Sequence, residues 1–86
     1  MVFRAPVQID DLNRLSQGTL IEHLGIVFTA AGPDWVQATM PVDARTRQPY
    51  GLLHGGASVV LAETLGSSAG NLCLDTTRQQ AVGLEI

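Results

Sequence analysis

Between Arg47 and Asp75 the chain carries one formal charge, Glu63. Around it run Tyr50-Gly51-Leu52-Leu53-His54-Gly55-Gly56 and then Ala57-Ser58-Val59-Val60-Leu61-Ala62-Glu63-Thr64-Leu65-Gly66-Ser67, otherwise apolar, small or neutral-polar. From about Gly55 the run is long enough, and rich enough in Ala and Leu, for a helix of roughly five turns. Apolar residues fall on nearly every side of it, the pattern of a buried helix. A carboxylate in such a place has to find hydrogen bonds or a cation, or keep its proton, because desolvating a bare charge is costly. Glu63 is therefore the residue that any fold of this chain has to account for.

With 86 residues there is room for one small domain spanning 1–86. Hydrophobic residues make up 45% of the chain and charged ones 15%, against roughly 25% charged in ordinary globular domains. A chain this short buries a limited core, so a homo-oligomer, dimer or tetramer, is expected to cover the surplus apolar surface. The net charge is −3, from five Arg, no Lys and eight acidic residues. Without a basic stripe, nucleic acid is not a partner. The single Cys73 excludes an internal disulfide and reads as a small core residue of a cytoplasmic protein. Residues 1–9 lack the apolar core and cleavage pattern of a signal peptide. The central run is too broken by His, Ser and Gly to span a membrane.

Along the chain, Asp10 or Asp11 is placed to cap a short helix through Leu12 and Leu15 that ends at Gly18. Thr19 and Glu22 have the spacing of a capping box, and Gly25 stops the turn they open. Residues 26–30 and 35–40 are β-rich and flank Gly32-Pro33-Asp34, which reads as a hairpin. In its second strand Val36, Ala38 and Met40 alternate with Gln37 and Thr39, so one face is buried and the other wetter. Pro41 and Pro49 bracket a loop holding Asp43, Arg45 and Arg47. After the long helix, residues 75–80 form a polar turn and 81–86 begin another strand. The result is an α+β pattern with too few strands to enclose its helix.

Where loop becomes helix, Gly55 and Gly56 expose backbone N–H groups at the positive end of the helix dipole, a site for an oxyanion or polarised carbonyl. Each feature has a plainer reading: the glycines let the loop turn closely, His54 is a structural histidine, Glu63 a hydrogen-bonded carboxylate. Together at this spacing they point to chemistry. Gly55 and Glu63 are eight residues, about 12 Å, apart along one helix, whereas groups acting on one carbonyl must come within roughly 3 Å. Two antiparallel copies related by a two-fold axis can bring Gly55 of one beside Glu63 of the other. Ser67, one turn after Glu63, shares its face and can orient a water. Gly66-Ser67-Ser68-Ala69-Gly70 matches a nucleophile elbow, but it falls inside the helix and no His follows it, so a serine hydrolase is rejected. His23, His54 and Cys73 have no metal-ligand spacing.

Gln48-Pro49-Tyr50-Gly51-Leu52-Leu53-His54-Gly55-Gly56-Ala57-Ser58, followed by Ala62-Glu63 and Gly66-Ser67, resembles the hotdog-fold acyl-CoA thioesterases. Within them it is similar to the PaaI-type group that includes 1,4-dihydroxy-2-naphthoyl-CoA thioesterase and the enterobactin proofreading thioesterase. Ala38-Thr39-Met40-Pro41-Val42-Asp43 and Val82-Gly83-Leu84-Glu85-Ile86 fit the same group. The resemblance implies a curved antiparallel sheet wrapped around one long helix, with two sites at a dimer interface. It implies Glu63 as nucleophile or general base, and the Gly55 N–H polarising the thioester carbonyl with help from His54 and Gln48 of the same chain. By the same resemblance Ser67 is expected beside Glu63 in the opposite chain, Tyr50 is expected to line the acyl pocket and Gly83 is a candidate for contact with substrate. No cofactor or metal is implied.

Members of that family are roughly half as long again, and the part without a counterpart here supplies further strands and most contacts to the CoA phosphates. The sequence therefore reads as a hotdog thioesterase domain incomplete at its C-terminus, acting on an aromatic or medium acyl-CoA. The alternatives are a non-catalytic acyl-thioester-binding or oligomerisation module of the same fold and a hotdog dehydratase. The 86 residues alone are expected to fold weakly or associate through an open strand edge.

Overall fold

A computed structural model describes residues 3–73, in the order α1 (Ile9–Leu15), α2 (Leu20–His23), β1 (Val27–Ala31), β2 (Val36–Thr39) and α3 (Gly55–Cys73). Gln8, in extended backbone, caps α1 without a side-chain hydrogen bond, and Asp10 and Asp11 lie in its first turn. The cap thus lies two or three residues before the expected Asp10 or Asp11, and the two carboxylates act on the positive end of the dipole instead. Ser16 closes the helix by donating its Oγ–H to the Leu12 carbonyl at 2.8 Å.

Thr19 caps α2 as expected, its Oγ1 accepting the Ile21 N–H at 3.2 Å. The reciprocal half of the capping box lands one residue early, because Glu22 Oε1 accepts from the Gly18 N–H at 3.4 Å and not from Thr19. Gly25 then turns the chain with φ of 76°. A Cβ there would also sit 2.7 Å from Arg45 Nη2 and 2.9 Å from Pro41 Cγ. Backbone conformation and space both require glycine at that corner.

β1 and β2 form the expected antiparallel hairpin, with Val27 opposite Thr39, Phe28 opposite Ala38, Ala30 opposite Gln37 and Ala31 opposite Val36. Thr29 is the extra residue of a β-bulge, which bends the strand locally. The turn closes where the Gly32 N–H donates to the Trp35 carbonyl at 2.9 Å. Val36 and Ala38 are half-buried while Gln37 and Thr39 are exposed, matching the alternation in the sequence. Phe28 is 2% exposed and sits in a small core with Phe3, Leu24 and Ile26.

A non-local clamp fixes the other side of β1. Asn13 Nδ2 donates to the Phe28 carbonyl at 2.9 Å, and Asn13 Oδ1 accepts the Phe28 N–H at 2.8 Å. One carboxamide from α1 satisfies both backbone groups that a strand at a sheet edge would otherwise leave open.

α3 spans 19 residues, close to the five turns expected, and packs against β2. Among the described residues, however, it buries only Ala57 and Thr64, and Val59 is 40% exposed. A helix that reads as buried all round is covered here on one side, because the only described sheet has two strands. The expected polar turn at 75–80 and strand at 81–86 lie outside the described residues. No described helix is long and apolar enough to cross a membrane.

The clamp gives a stability prediction. Asn13→Ala is expected to lower the unfolding free energy by about 1–3 kcal/mol, since it strands two part-buried backbone groups. Arg14→Ala, which removes an exposed ion pair to Asp11, is expected to change it by less than about 1 kcal/mol. Urea titrations of both variants measure the difference, and equal effects would remove the clamp from the account.

Candidate active site

The loop feeding α3 is built on itself. Asp43 Oδ1 accepts the Arg45 N–H at 2.9 Å, and the Arg45 guanidinium meets the same carboxylate at 2.6 Å. The hydrogen bond from the Arg45 side chain, then that from its backbone, holds the Asp43 carboxyl below its ordinary range, and the pairing raises Arg45 in return. Both groups face solvent, so the pair orders the loop more than it stabilises the fold.

Inside that turn, Thr46 is 1% exposed. Its Oγ1–H donates to the Pro41 carbonyl at 2.7 Å while the oxygen accepts the Asp43 N–H at 3.0 Å. From Thr46 the chain runs into a short ribbon. The Gln48 N–H donates to Leu52 O at 2.7 Å, Arg47 faces Leu53, and the His54 N–H donates to Thr46 O at 2.7 Å. The reversal is a turn at Gln48-Pro49-Tyr50-Gly51, with Pro49 setting the first central φ and Gly51 at φ 86°.

The ribbon delivers His54 to the N-terminus of α3, where it is the cap. Its carbonyl accepts the N–H groups of Ala57 at 3.0 Å and Ser58 at 3.2 Å, and its Nδ1 accepts the Gly56 N–H at 2.8 Å. With Nδ1 accepting, Nε2 is the ring nitrogen left to donate. The Gly56 N–H is thereby used, whereas the Gly55 N–H has no partner among the described residues. An added Cβ at Gly56 would crowd His54 Nδ1 at 3.0 Å, but at Gly55 it would meet nothing within 4 Å. Of the two glycines read together from the sequence, the first has the open amide.

Glu63 is half-buried on α3, and Ser67 Oγ donates to its Oε1 at 2.5 Å. The one-turn spacing therefore does produce a pair, and the hydroxyl is engaged with a carboxylate as donor. The elbow motif lies wholly within α3, consistent with rejecting a serine hydrolase. Gln48 is half-buried, and its Oε1 accepts the Tyr50 N–H across the turn. Its Nε2 is the end left to donate elsewhere. Tyr50 stands at the turn tip, 90% exposed. Gly83 lies outside the described residues.

Gln48, His54 and Gly55 thus belong to one ribbon and helix start, and Glu63 and Ser67 to the middle of the same helix. Eight residues along α3 separate Gly55 from Glu63 by about 12 Å, so one copy keeps the two groups apart. Among the described residues no group of His, Cys, Asp and Glu is placed to hold a metal. Thr46, buried and central to the loop, went unnoticed in the sequence; the spacing of Asp43 and Thr46 around a turn was the available signal.

No family model matches the chain. It is 58% identical over 88 residues to the proofreading thioesterase EntH of Cronobacter sakazakii, an alignment covering 100% of this chain and 62% of that protein. It is 51% identical over 86 residues to the 1,4-dihydroxy-2-naphthoyl-CoA hydrolase of Escherichia coli K12, with the same coverage of 100% and 62%. A mutant thioesterase from Pseudomonas aeruginosa superposes with a TM-score of 0.86 at 48% identity, covering 90% of this chain and 55% of that one. A thioesterase from Haemophilus influenzae gives 0.81 at 54% identity, covering 86% and 52%. The chain spans 62% of the length of the curated relatives it matches. In sequence the chain is similar to these thioesterases from end to end, and over 86–90% of its length it shares the hotdog-type fold of the two solved ones.

Proposed function

We propose that the protein hydrolyses an acyl-CoA thioester, with an aromatic or medium-length acyl group, at a site shared between two antiparallel copies of α3. The observation that carries this reading is the open Gly55 amide at the start of the same helix that holds the Glu63–Ser67 pair. The thioester carbonyl oxygen accepts from the Gly55 N–H of one copy, at the positive end of the helix dipole. His54 Nε2–H and Gln48 Nε2 are the neighbouring donors. Glu63 of the other copy is the reacting carboxylate.

As general base, Glu63 takes a proton from water, and the oxygen adds to the carbonyl carbon. The C–S bond then breaks, the thiolate leaves, and Glu63 returns the proton to sulfur. As nucleophile, it forms an acyl anhydride with loss of thiolate, and water cleaves the anhydride. Both routes end in a carboxylic acid and CoA thiol. Neither needs a strong acid, because a thiol pKa of about 8.5 makes the thiolate a ready leaving group. Ser67 holds one carboxylate oxygen and leaves the other to react. Tyr50, exposed within one copy, lines the acyl group once the second copy is in place. The 51–58% identity to named thioesterases supports the same chemistry.

In the protein expressed from its own gene, Glu63→Gln is expected to lower hydrolysis of benzoyl-CoA by at least about a hundredfold with the circular dichroism spectrum unchanged. Near-normal turnover would sink the assignment of Glu63 as the reacting carboxylate.

Gly55→Ala separates a catalytic from a structural glycine. Nothing crowds a Cβ there and the backbone is not left-handed, so stability is expected to hold or rise by up to about 1 kcal/mol. Hydrolysis should fall, because the methyl group occupies the carbonyl's approach. Mixing Gly55→Ala with Glu63→Gln chains is expected to recover part of the activity, since one hybrid site has both halves intact. A mixture as inactive as its components would refute the shared site.

A further inference from the structure

The site described above has an oxyanion donor whose position is set by a loop, not by the helix alone. The Gly55 amide is aimed by where α3 begins. That start is fixed by His54, whose N–H is held by Thr46 O at 2.7 Å and whose Nδ1 occupies the Gly56 N–H at 2.8 Å. Thr46 O is in turn held in place by the Thr46 hydroxyl, which ties the Pro41 carbonyl at 2.7 Å to the Asp43 N–H at 3.0 Å.

At 1% exposure, this is the most completely buried side chain among the described residues, so neither water nor another rotamer can easily replace its two bonds. The neighbouring Asp43–Arg45 pair is exposed and cannot serve as the anchor. Arg45 and Pro41 also wall the Gly25 corner, so the loop can shift little on that side.

We infer that Thr46 is a positioning residue of the site: its hydroxyl fixes the loop that seats His54 as helix cap, and thereby aims the Gly55 N–H at the carbonyl oxygen. The catalytic consequence rests on the thioesterase reading; the placement of His54 does not. Thr46 touches no reacting atom. It acts through two bonds and one carbonyl.

The test uses Thr46→Val, which keeps the volume and removes the hydroxyl, and Thr46→Ser, which keeps the hydroxyl. Amide hydrogen exchange is read at His54 and Gly56, with Phe28 as a reference in the hairpin core, and benzoyl-CoA hydrolysis is measured in parallel. In Thr46→Val, exchange at His54 and Gly56 is expected to quicken about tenfold while Phe28 stays within about twofold. The kcat is expected to fall about tenfold with KM changed by less than about threefold. Thr46→Ser should restore both.

Unchanged exchange at His54, or an equal rise at Phe28, would overturn the proposal, the second because it marks a loosening of the whole domain. If Thr46→Val does not fold, Thr46→Ala is read in the same way. Failure of both to fold beside a folded Thr46→Ser also overturns it. A Glu63→Gln control that still hydrolyses benzoyl-CoA removes the role given to Glu63 alone, and the exchange measurement then decides the role of Thr46.

Discussion

The start of α3 is the point on which the rest of the structure depends. A helix leaves its first amides without intrahelical partners, and something has to decide which are satisfied and which remain. Here His54 supplies both a carbonyl for Ala57 and Ser58 and a ring nitrogen for Gly56. Only the Gly55 amide at this first turn has no described partner. The same residue fixes where the helix begins, and therefore the angular position of every side chain along its 19 residues. With about 100° between successive residues, the buried Ala57 and Thr64 share one face, while Gly55, Val59, Gly66, Gly70 and Glu63 fall within about 80° of one another on a different face.

The two-stranded sheet depends on a comparable device. β1 is bulged at Thr29, and a bulged strand with a bare edge is poorly specified in register. Asn13 removes that freedom by taking both backbone groups of Phe28, the residue that anchors the small core. Corner and loop are then joined at Gly25, where Arg45 and Pro41 close in from the segment that leads to His54. The hairpin and the helix start are thus braced by the same short stretch.

Much of this was legible in the sequence wherever the signal was local. The hairpin followed from a Gly-Pro-Asp turn between two β-rich runs, and α3 from an Ala- and Leu-rich stretch after a glycine pair. Ser67 pairs with Glu63 because residues four apart on a helix are neighbours. What could not be read was non-local or chemically uncommon. The Asn13–Phe28 clamp joins residues fifteen apart, and nothing in either marks the other. His54 was visible as a candidate donor but not as a helix cap, since serine, threonine, asparagine and aspartate are the usual caps. The α1 cap was misplaced for the same reason: Asp10 and Asp11 look like caps, yet Gln8 holds the position. Thr46 carried no mark of its importance, because burial of a small polar side chain is decided by the loop around it.

The remaining question is why a helix should carry glycines on the face that bears its lone carboxylate. Glycine in a helix interior is unfavourable by roughly 1 kcal/mol relative to alanine, so Gly66 has a cost unless the space in front of it is used. A Cβ at Gly66 or at Gly55 would meet nothing among the described residues, which means that this chain's own described packing does not require either. Eleven residues, three turns to within about 20°, separate the two. They therefore open two ends of one strip that also contains Glu63 and the exposed Val59. A strip of that kind lets another backbone approach closely. A second α3, running antiparallel, would set its Glu63 toward this Gly55 and its Gly55 toward this Glu63. In the proposed reaction the same close approach would cover the face that the described residues leave open, and would bring the two halves of each proposed site together.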